Sequence, residues 1–275
     1  MKALASMKTA LAVTCVLALS AAPSSGQDHP ASPAPAQAES SPAIPPITDA
    51  DREAAFPDAE AHSVHDRTLN YFVLIDQLEW QATDAHDGAS WDNRGWIGGD
   101  LNRFWFRTEG AADNGRIDDA QAHLLYGRAF ARWWHFVGGV RQDLRPGPSQ
   151  TWAAVGVQGL APYWFEVEAT AYIGASGRTQ VRLEVEYELL LTNRLVLQPL
   201  VEIEVYGKGD PERGIGAGLS SADAGLRLRY ELRRELAPYV GVVWTRKFLG
   251  TADFAEAAGE PARTARLAAG MRVWF

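Results

Sequence analysis

The chain ends in the stretch Arg263-Thr-Ala-Arg-Leu-Ala-Ala-Gly-Met-Arg-Val-Trp-Phe275. Every second position of this stretch is apolar or small: Ala265, Leu267, Ala269, Met271, Val273 and Phe275. The positions between them are polar or small, and two of them are arginines, Arg266 and Arg272. Because side chains alternate between the two faces of a strand, a period of two predicts a β-strand with one apolar and one polar face.

The terminal aromatic residue bears on the choice of fold. A last strand that ends in phenylalanine resembles the closing strand of bacterial outer-membrane β-barrels, although an ordinary sandwich strand also fits this segment alone. Residues 179–189 separate their faces strictly, with Val181, Leu183, Val185, Tyr187 and Leu189 on one side and Gln180, Arg182, Glu184, Glu186 and Glu188 on the other. A barrel with lipid outside and a polar lumen inside explains this separation.

Alternating stretches recur throughout residues 69–275. They predict about twelve strands, over 69–80, 91–98, 101–109, 118–127, 133–141, 151–159, 164–173, 179–189, 195–206, 219–232, 238–248 and 263–275. Short connections alternate with mostly longer ones, at 81–90, 110–117, 142–150, 174–178, 207–218 and 249–262. Short turns on one rim, long loops on the other and aromatic residues near strand ends are typical of outer-membrane barrels. We therefore predict an all-β fold, a closed antiparallel transmembrane β-barrel of about 12 strands.

The first 68 residues differ in composition from the predicted barrel. Residues 1–22 predict a secretory signal peptide, since Lys2 and Lys8 precede an apolar run that is followed by small residues, with cleavage between 20 and 26. The single cysteine, Cys15, lies in this segment, so disulfides and thiolate metal sites are excluded from the mature chain. Residues 23–68 are rich in Pro, Ala, Ser and Gln and predict a disordered periplasmic tail.

Composition and motifs also exclude some functions. A net charge of −8 argues against nucleic acid as a partner. The patterns G-x-S-x-G and H-E-x-x-H and a phosphate-binding glycine loop with lysine do not occur in the sequence. We therefore expect a protein that is not an enzyme.

If the apolar residues face lipid, the alternate positions make the lumen strongly charged. The predicted luminal residues are Arg103, Arg107, Glu109, Asp119, Arg141, Glu166, Glu168, Arg182, Glu184, Glu186, Glu188, Glu202, Glu204, Asp223, Arg227, Arg229, Glu231, Arg266 and Arg272. Buried charges are tolerated when they are paired or hydrated. A structural network of salt bridges and a path for cations are both compatible with this set.

Histidine is sparse, with six in the chain. His123 and His135 belong to one predicted hairpin and both have luminal parity, so we predict that they share a copper ion, with Asp119 or Glu166 as a carboxylate ligand. The alternative is two separate imidazoles that form hydrogen bonds in the lumen. His62 and His65, just before the first strand, are a weaker candidate metal site.

Several longer motifs resemble the copper resistance protein B family of Gram-negative outer membranes. They are Asn70-Tyr-Phe-Val-Leu-Ile-Asp-Gln-Leu-Glu-Trp80, Trp96-Ile-Gly-Gly-Asp-Leu-Asn-Arg103, Arg141-Gln-Asp-Leu-Arg-Pro-Gly-Pro148, Gly159-Leu-Ala-Pro-Tyr-Trp-Phe-Glu-Val-Glu-Ala169 and Trp274-Phe275. The resemblance implies an outer-membrane barrel that binds copper and supports copper resistance. Members often carry a Met- and His-rich segment before the barrel, whereas this chain has only Met1, Met7 and Met271.

Three functions are compatible with this reasoning. The first is a barrel that moves or sequesters copper ions, and the second is a general small-solute pore of the outer membrane. The third is a structural barrel that docks a periplasmic copper oxidase or carrier through its tail. Outer-membrane lipid and copper ions are the expected partners.

Overall fold

The computed structural model describes residues 45–55, 68–82, 87–113 and 115–275. The chain divides into two units, Met1–Ser63 and Val64–Phe275. The first contains helix α1, Asp49–Ala55. Thr48 and Asp51 form a reciprocal cap, in which the Thr48 N–H donates to the Asp51 carboxylate (2.8 Å) and the Asp51 N–H donates to the Thr48 hydroxyl (3.2 Å). The disorder predicted for 23–68 therefore does not extend to these seven residues, whereas the predicted signal peptide, His62 and His65 lie outside the described residues.

The second unit is almost entirely antiparallel sheet. Its strands are β1 Asn70–Ala82, β2 Asp87–Gly98, β3 Asn102–Asp113, β4 Arg116–Ala131, β5 Trp134–Arg145, β6 Gln150–Ala161, β7 Phe165–Gly174, β8 Thr179–Glu186, β9 Leu189–Leu190, β10 Leu195–Tyr206, β11 Gly218–Tyr230, β12 Leu236–Lys247 and β13 Arg263–Trp274. Both β8 and β9 pair with β10, so they are two pieces of one wall strand. β13 pairs with β1 and closes a ring of twelve, which confirms the predicted barrel.

The wall of the barrel has an apolar outside and a polar inside. Along β8, Val181 and Leu183 are exposed on the outer face, whereas Arg182, Glu184 and Glu186 are buried on the inner face. The closing strand β13 follows the same rule, with Leu267 and Met271 exposed on its outer side. The predicted facing of both segments is therefore confirmed, because a lipid-facing position accepts only apolar atoms.

β1 departs from strict alternation. Three residues of β1, from Ile75 to Leu78, pass along two residues of β13, from Val273 to Met271. This extra residue is a β-bulge, which turns the side chains that follow it to the opposite face. As a result Asp76 and Glu79, three positions apart, are both buried inside the barrel.

The two rims differ less in loop length than predicted. The long-loop rim carries the connections 207–217 and 248–262, and the second of these contains helix α2, Leu249–Ala257, which the sequence did not predict. β3 reaches Asp113 and β4 starts at Arg116, so the loop predicted over 110–117 is mostly strand. The short-turn rim carries 99–101, 132–133, 162–164, 191–194 and 231–235.

Aromatic rings take two different positions. Trp80, Trp133, Trp164 and Trp244 are exposed on the outside near the rims, as expected for lipid-interface girdles. Trp152 and Tyr239, which were predicted to join the girdles, are instead buried inside the barrel. Within the described residues, neither helix has the length and apolar character that a membrane-crossing helix needs.

Candidate functional site

The middle of the lumen is filled by ion pairs, which we call the central network. Its members are Asp76, Asp92, Arg94, Arg107, Glu109, Glu168, Arg182, Glu184, Glu186, Glu202 and Arg272. Arg94 on β2 lies 2.7 Å from Asp76, 3.1 Å from Glu168 and 3.4 Å from Glu186. In a ring of twelve, β2 and β8 are six strands apart in both directions, so the Arg94–Glu186 pair joins opposite walls.

A second arginine layer lies next to Arg94. Arg107 on β3 reaches Asp92 and Glu184 at 2.8 Å each, and Glu168 at 3.0 Å. Arg182 on β8 contacts Glu109 at 2.8 Å and Glu202 at 2.7 Å. Because several carboxylates surround each guanidinium, the desolvation cost of burying these charges is offset by pairing. The predicted salt-bridge network is therefore present, and it crosses the lumen.

The wall near the ring closure has its own pair. Arg227 on β11 donates from Nε and Nη2 to the two carboxylate oxygens of Glu79, at 3.0 Å each. The Tyr239 hydroxyl donates to the same carboxylate at 3.0 Å. This fork geometry holds β1 against β11 and β12 from the inside of the barrel.

A cavity of about 520 Å³ opens between the central network and the long-loop rim, and we call it the vestibule. Asp119, Glu204 and Asp223 line it and are the vestibule carboxylates. Glu204 accepts hydrogen bonds from Gln180 (2.8 Å) and Ser221 (3.3 Å), and Asp223 accepts one from Thr245. Within the described residues none of the three carboxylates has a basic side chain within 4.0 Å, so their negative charge faces the cavity.

One side of the vestibule is an aromatic wall. Arg141 stacks over Tyr172 with 4.1 Å between the guanidinium carbon and the ring centroid, and it lies 5.0 Å from the Trp152 ring. Asp143 accepts a hydrogen bond from the Trp152 indole at 2.8 Å and pairs with Arg141 at 2.9 Å. Arg213, from connection 207–217, also reaches Asp143 at 3.4 Å. The connection is thereby tied across the mouth of the barrel.

His123 lies directly beneath the vestibule. Its Nε2 is 3.4 Å from the side-chain oxygen of Gln121, which lines the cavity, and 3.8 Å from Glu109 of the central network. The ring packs edge-on against Tyr172, with 6.0 Å between centroids. This imidazole therefore connects the vestibule to the central network, with one nitrogen and two oxygen donors close together.

The structure does not bring His123 and His135 together. His123 on β4 pairs with Arg141, whereas His135 on β5 pairs with Ala129, six residues beyond His123. At about 3.3 Å per residue the two imidazoles are about 20 Å apart along the ladder, too far to share one ion. His135 instead packs against Trp105 near the short-turn rim, and its Nε2 is buried without a hydrogen-bond partner in the described part of the chain.

The two predicted carboxylate ligands also lie apart. Asp119 is on the same strand as His123 but four residues nearer the long-loop rim, about 13 Å along a strand. Glu166 on β7 pairs with Leu160 and Glu186, on the other side of the central network from the vestibule. Across residues 45–55, 68–82, 87–113 and 115–275, no group of three or more His, Cys, Asp or Glu side chains is arranged to hold a metal ion.

Sequence reasoning missed several residues of the central network. Asp76 was missed because the bulge in β1 changes the parity on which the luminal prediction depends. Asp92 and Arg94 lie within a predicted strand, and their alternate spacing in Asp92-Asn-Arg94 was a usable signal. Arg213 comes from a connection, where strand periodicity carries no information.

Comparison with known proteins identifies the family. The family model described as "Copper resistance protein B precursor (CopB)" matches residues 69–275. The chain belongs to the copper resistance protein B family. Copper resistance protein B of Escherichia coli is 49% identical over 224 residues, which cover 82% of this chain and 76% of that protein. The homolog of Pseudomonas syringae pv. tomato is 50% identical over 226 residues, with the same coverage of 82% and 76%.

The fold comparison agrees with this assignment. A solved structure of the NanC porin, 10% identical, superposes with a TM-score of 0.50 and covers 74% of this chain and 99% of the porin. At this identity the likeness shows the barrel fold alone. Together, family and fold make the chain a transmembrane β-barrel of the outer membrane with a role in copper resistance, and they are those of a non-enzymatic protein.

Proposed function

We propose that this barrel handles copper ions as cargo, moving or sequestering them within its lumen. The observation that carries the proposal is the contact between opposite walls, Arg94 to Glu186, directly beneath a vestibule with unpaired carboxylates. A lumen closed at its middle by side chains hinders the passage of sugars or peptides. A single cation needs only the exchange of one charged partner for another.

Charge favours a cation over an anion as the cargo. The vestibule carboxylates Asp119, Glu204 and Asp223 meet an incoming ion first. Clefts lined by one sign of charge raise the local concentration of ions of the opposite sign. Arginines and lysines at the vestibule are largely occupied by partners, as in Arg141–Asp143 and Lys247–Glu260. The unsatisfied charge on the cavity wall is therefore mainly negative.

His123 is the first nitrogen donor below these carboxylates. Imidazole together with carboxylate oxygen suits Cu(II) better than Cu(I), which prefers thiolate and thioether ligands. Glu109, 3.8 Å from His123, already pairs with Arg107 and Arg182, so an ion bound there competes with two guanidiniums. We propose weak, exchangeable binding at this position.

His135 and Glu166 provide separate positions on the far side of the central network. The Nε2 of His135 has no partner in the described part of the chain, and Glu166 has no basic side chain within 4.0 Å there. We propose that copper binds at His123 and at His135 as two independent sites. His62 and His65, outside the described residues, remain a proposed third contact before the barrel.

The orientation of the barrel gives this route its direction in space. Outer-membrane barrels place short turns in the periplasm and longer loops outside. β1 starts and β13 ends at the short-turn rim, so the tail before residue 69 would be periplasmic and the vestibule would open to the exterior. His135 would then lie at the periplasmic end.

The test is uptake by proteoliposomes that contain the full chain. Cu(II) entry, followed with an enclosed fluorescent chelator, should exceed vesicle swelling by sugars of about 150 Da, and Glu204→Gln/Asp223→Asn should reduce it several-fold. The control, Glu235→Gln/Asp253→Asn, removes the same charge at exposed positions and should match the parent. Rapid sugar entry with no preference for Cu(II) would instead support a general solute pore.

A further inference from the structure

A groove of about 530 Å³ lies on the outer wall of the barrel, between α2 and the ends of β12 and β13. Its lining includes Arg246, Arg263, Phe248, Leu249 and Glu256. Leu249 is 62% exposed. The groove thus combines two cations and one carboxylate with an uncovered apolar side chain. It is separate from the vestibule, which lies inside the wall.

The two arginines stand directly opposite each other. Arg246 on β12 and Arg263 on β13 are ladder partners, and both are exposed on the outer face. Within the described residues neither guanidinium has an ion-pair partner; Arg246 only covers the Phe248 ring, at 4.7 Å. Like charges directly opposite in a ladder destabilise a sheet. An anion bound between them would remove that repulsion.

The height of the pair on the wall matches a lipid head group. Trp244, two residues below Arg246 on the same outer face, is 45% exposed and belongs to the aromatic residues near this rim. Aromatic belts mark the boundary between the hydrocarbon and the head groups. The guanidiniums begin about 7 Å above that level, at two residues of strand rise. An anion at this height belongs to a membrane lipid.

We propose that this groove binds the phosphate groups of lipopolysaccharide, the phosphorylated glycolipid of the outer leaflet. Guanidinium forks match phosphate oxygens in a bidentate way, and two adjacent forks suit a head group that carries more than one phosphate. Leu249 offers an apolar surface beside them. The assignment to the outer leaflet rests on the orientation given under Proposed function.

The experiment uses the full chain in detergent and measures lipid binding by native mass spectrometry. The probes are bisphosphorylated lipid A, its dephosphorylated form, phosphatidylglycerol and inorganic phosphate. We expect lipid A to bind the parent, and Arg246→Gln/Arg263→Gln to weaken it at least ten-fold. The matched control is Arg128→Gln/Arg132→Gln, which removes two exposed arginines near the short-turn rim and should bind like the parent.

Each remaining outcome has a defined meaning. Arg246→Lys/Arg263→Lys should retain part of the affinity, since it keeps the charge without the fork. Equal binding of lipid A by the parent and the Gln variant would overturn the proposal, as would equally tight binding of inorganic phosphate or dephosphorylated lipid A. A preference for phosphatidylglycerol would overturn the outer-leaflet assignment. Cu(II) uptake by the Gln variant should stay unchanged, which separates failure here from failure of the copper proposal.

Discussion

Arg94 on β2 and Glu186 on β8 meet across the full width of the lumen, with 3.4 Å between Nη2 and Oε2. The strands that carry them are hydrogen-bonded to entirely different neighbours. The contact therefore exists only because the sheet closes into a ring. It makes the barrel interior a packed polar core, in which every arginine serves several carboxylates.

Removal of this central cation should destabilise the barrel and open it. Arg94→Met leaves Glu186 and Glu168 without their guanidinium, and breaking a buried pair in this way costs about 3–5 kcal/mol. We expect a matching loss in the free energy of unfolding and a rise in single-channel conductance. Arg128→Met, at an exposed position, should change neither.

A second substitution tests whether the unpaired carboxylate is the cause. In the Arg94→Met background, Glu186→Gln should restore part of the stability, because the amide carries no charge. If the double variant is less stable than Arg94→Met by the full cost of a further lost pair, the interpretation of the central network is wrong.

The facing of β8 predicts a depth-dependent cost for a charge on the outer wall. Val185→Arg places a guanidinium near mid-strand on the lipid side and should cost about 2–4 kcal/mol, whereas Leu190→Arg, near the short-turn rim, should cost about 0–1 kcal/mol. Unfolding free energies in lipid vesicles give both values. A larger penalty at Leu190 than at Val185 would mean that β8 is placed at the wrong depth.

The separation of the two luminal histidines predicts independent copper sites. Cu(II) titration of the full chain should lose one binding event in His123→Ala and a different one in His135→Ala, with additive effects in the double variant, because about 20 Å separates the rings. Both events should weaken as the pH falls below about 6.5, since protons compete for imidazole. If either single variant abolishes both events, the sites are coupled and the ladder spacing is not the distance that matters.

A hydroxyl latch should control access to the vestibule. Thr251 of α2 accepts a hydrogen bond from the Gly216 N–H at 2.8 Å and contacts the Ser220 hydroxyl at 2.9 Å. Thr251→Val leaves that buried N–H unpaired, at a local cost of about 1–3 kcal/mol. Connection 207–217 should then open more often, and trypsin should cleave at Lys208 or Arg213 faster than in the parent.

The control for the latch is Thr264→Val on β13. The Thr264 hydroxyl is buried and has no hydrogen-bond partner in the described part of the chain, so its loss should leave cleavage unchanged. Equal trypsin sensitivity of Thr251→Val and the parent would show that other contacts, such as Arg213–Asp143, hold the connection closed.

Local sequence periodicity was enough to predict the wall. Alternation over residues 179–189 and 263–275 determines which side chains face lipid, because parity along a strand depends only on consecutive residues. Repetition of this pattern gave the number of strands. The sequence also contained the spacing of His123 and His135, since counting outward from the turn between β4 and β5 places His135 opposite Ala129 and not opposite His123.

Ring closure decided the rest. The partners of Arg94 and Arg107 lie 61 to 92 residues away on facing strands, and no local pattern relates such positions. The bulge at Ile75 to Leu78 turned Asp76 and Glu79 inward together, against simple alternation. The sequence thus determined which residues are luminal on regular strands, whereas only the tertiary structure determined which luminal charges meet, because closure and register bring distant strands within reach of one side chain.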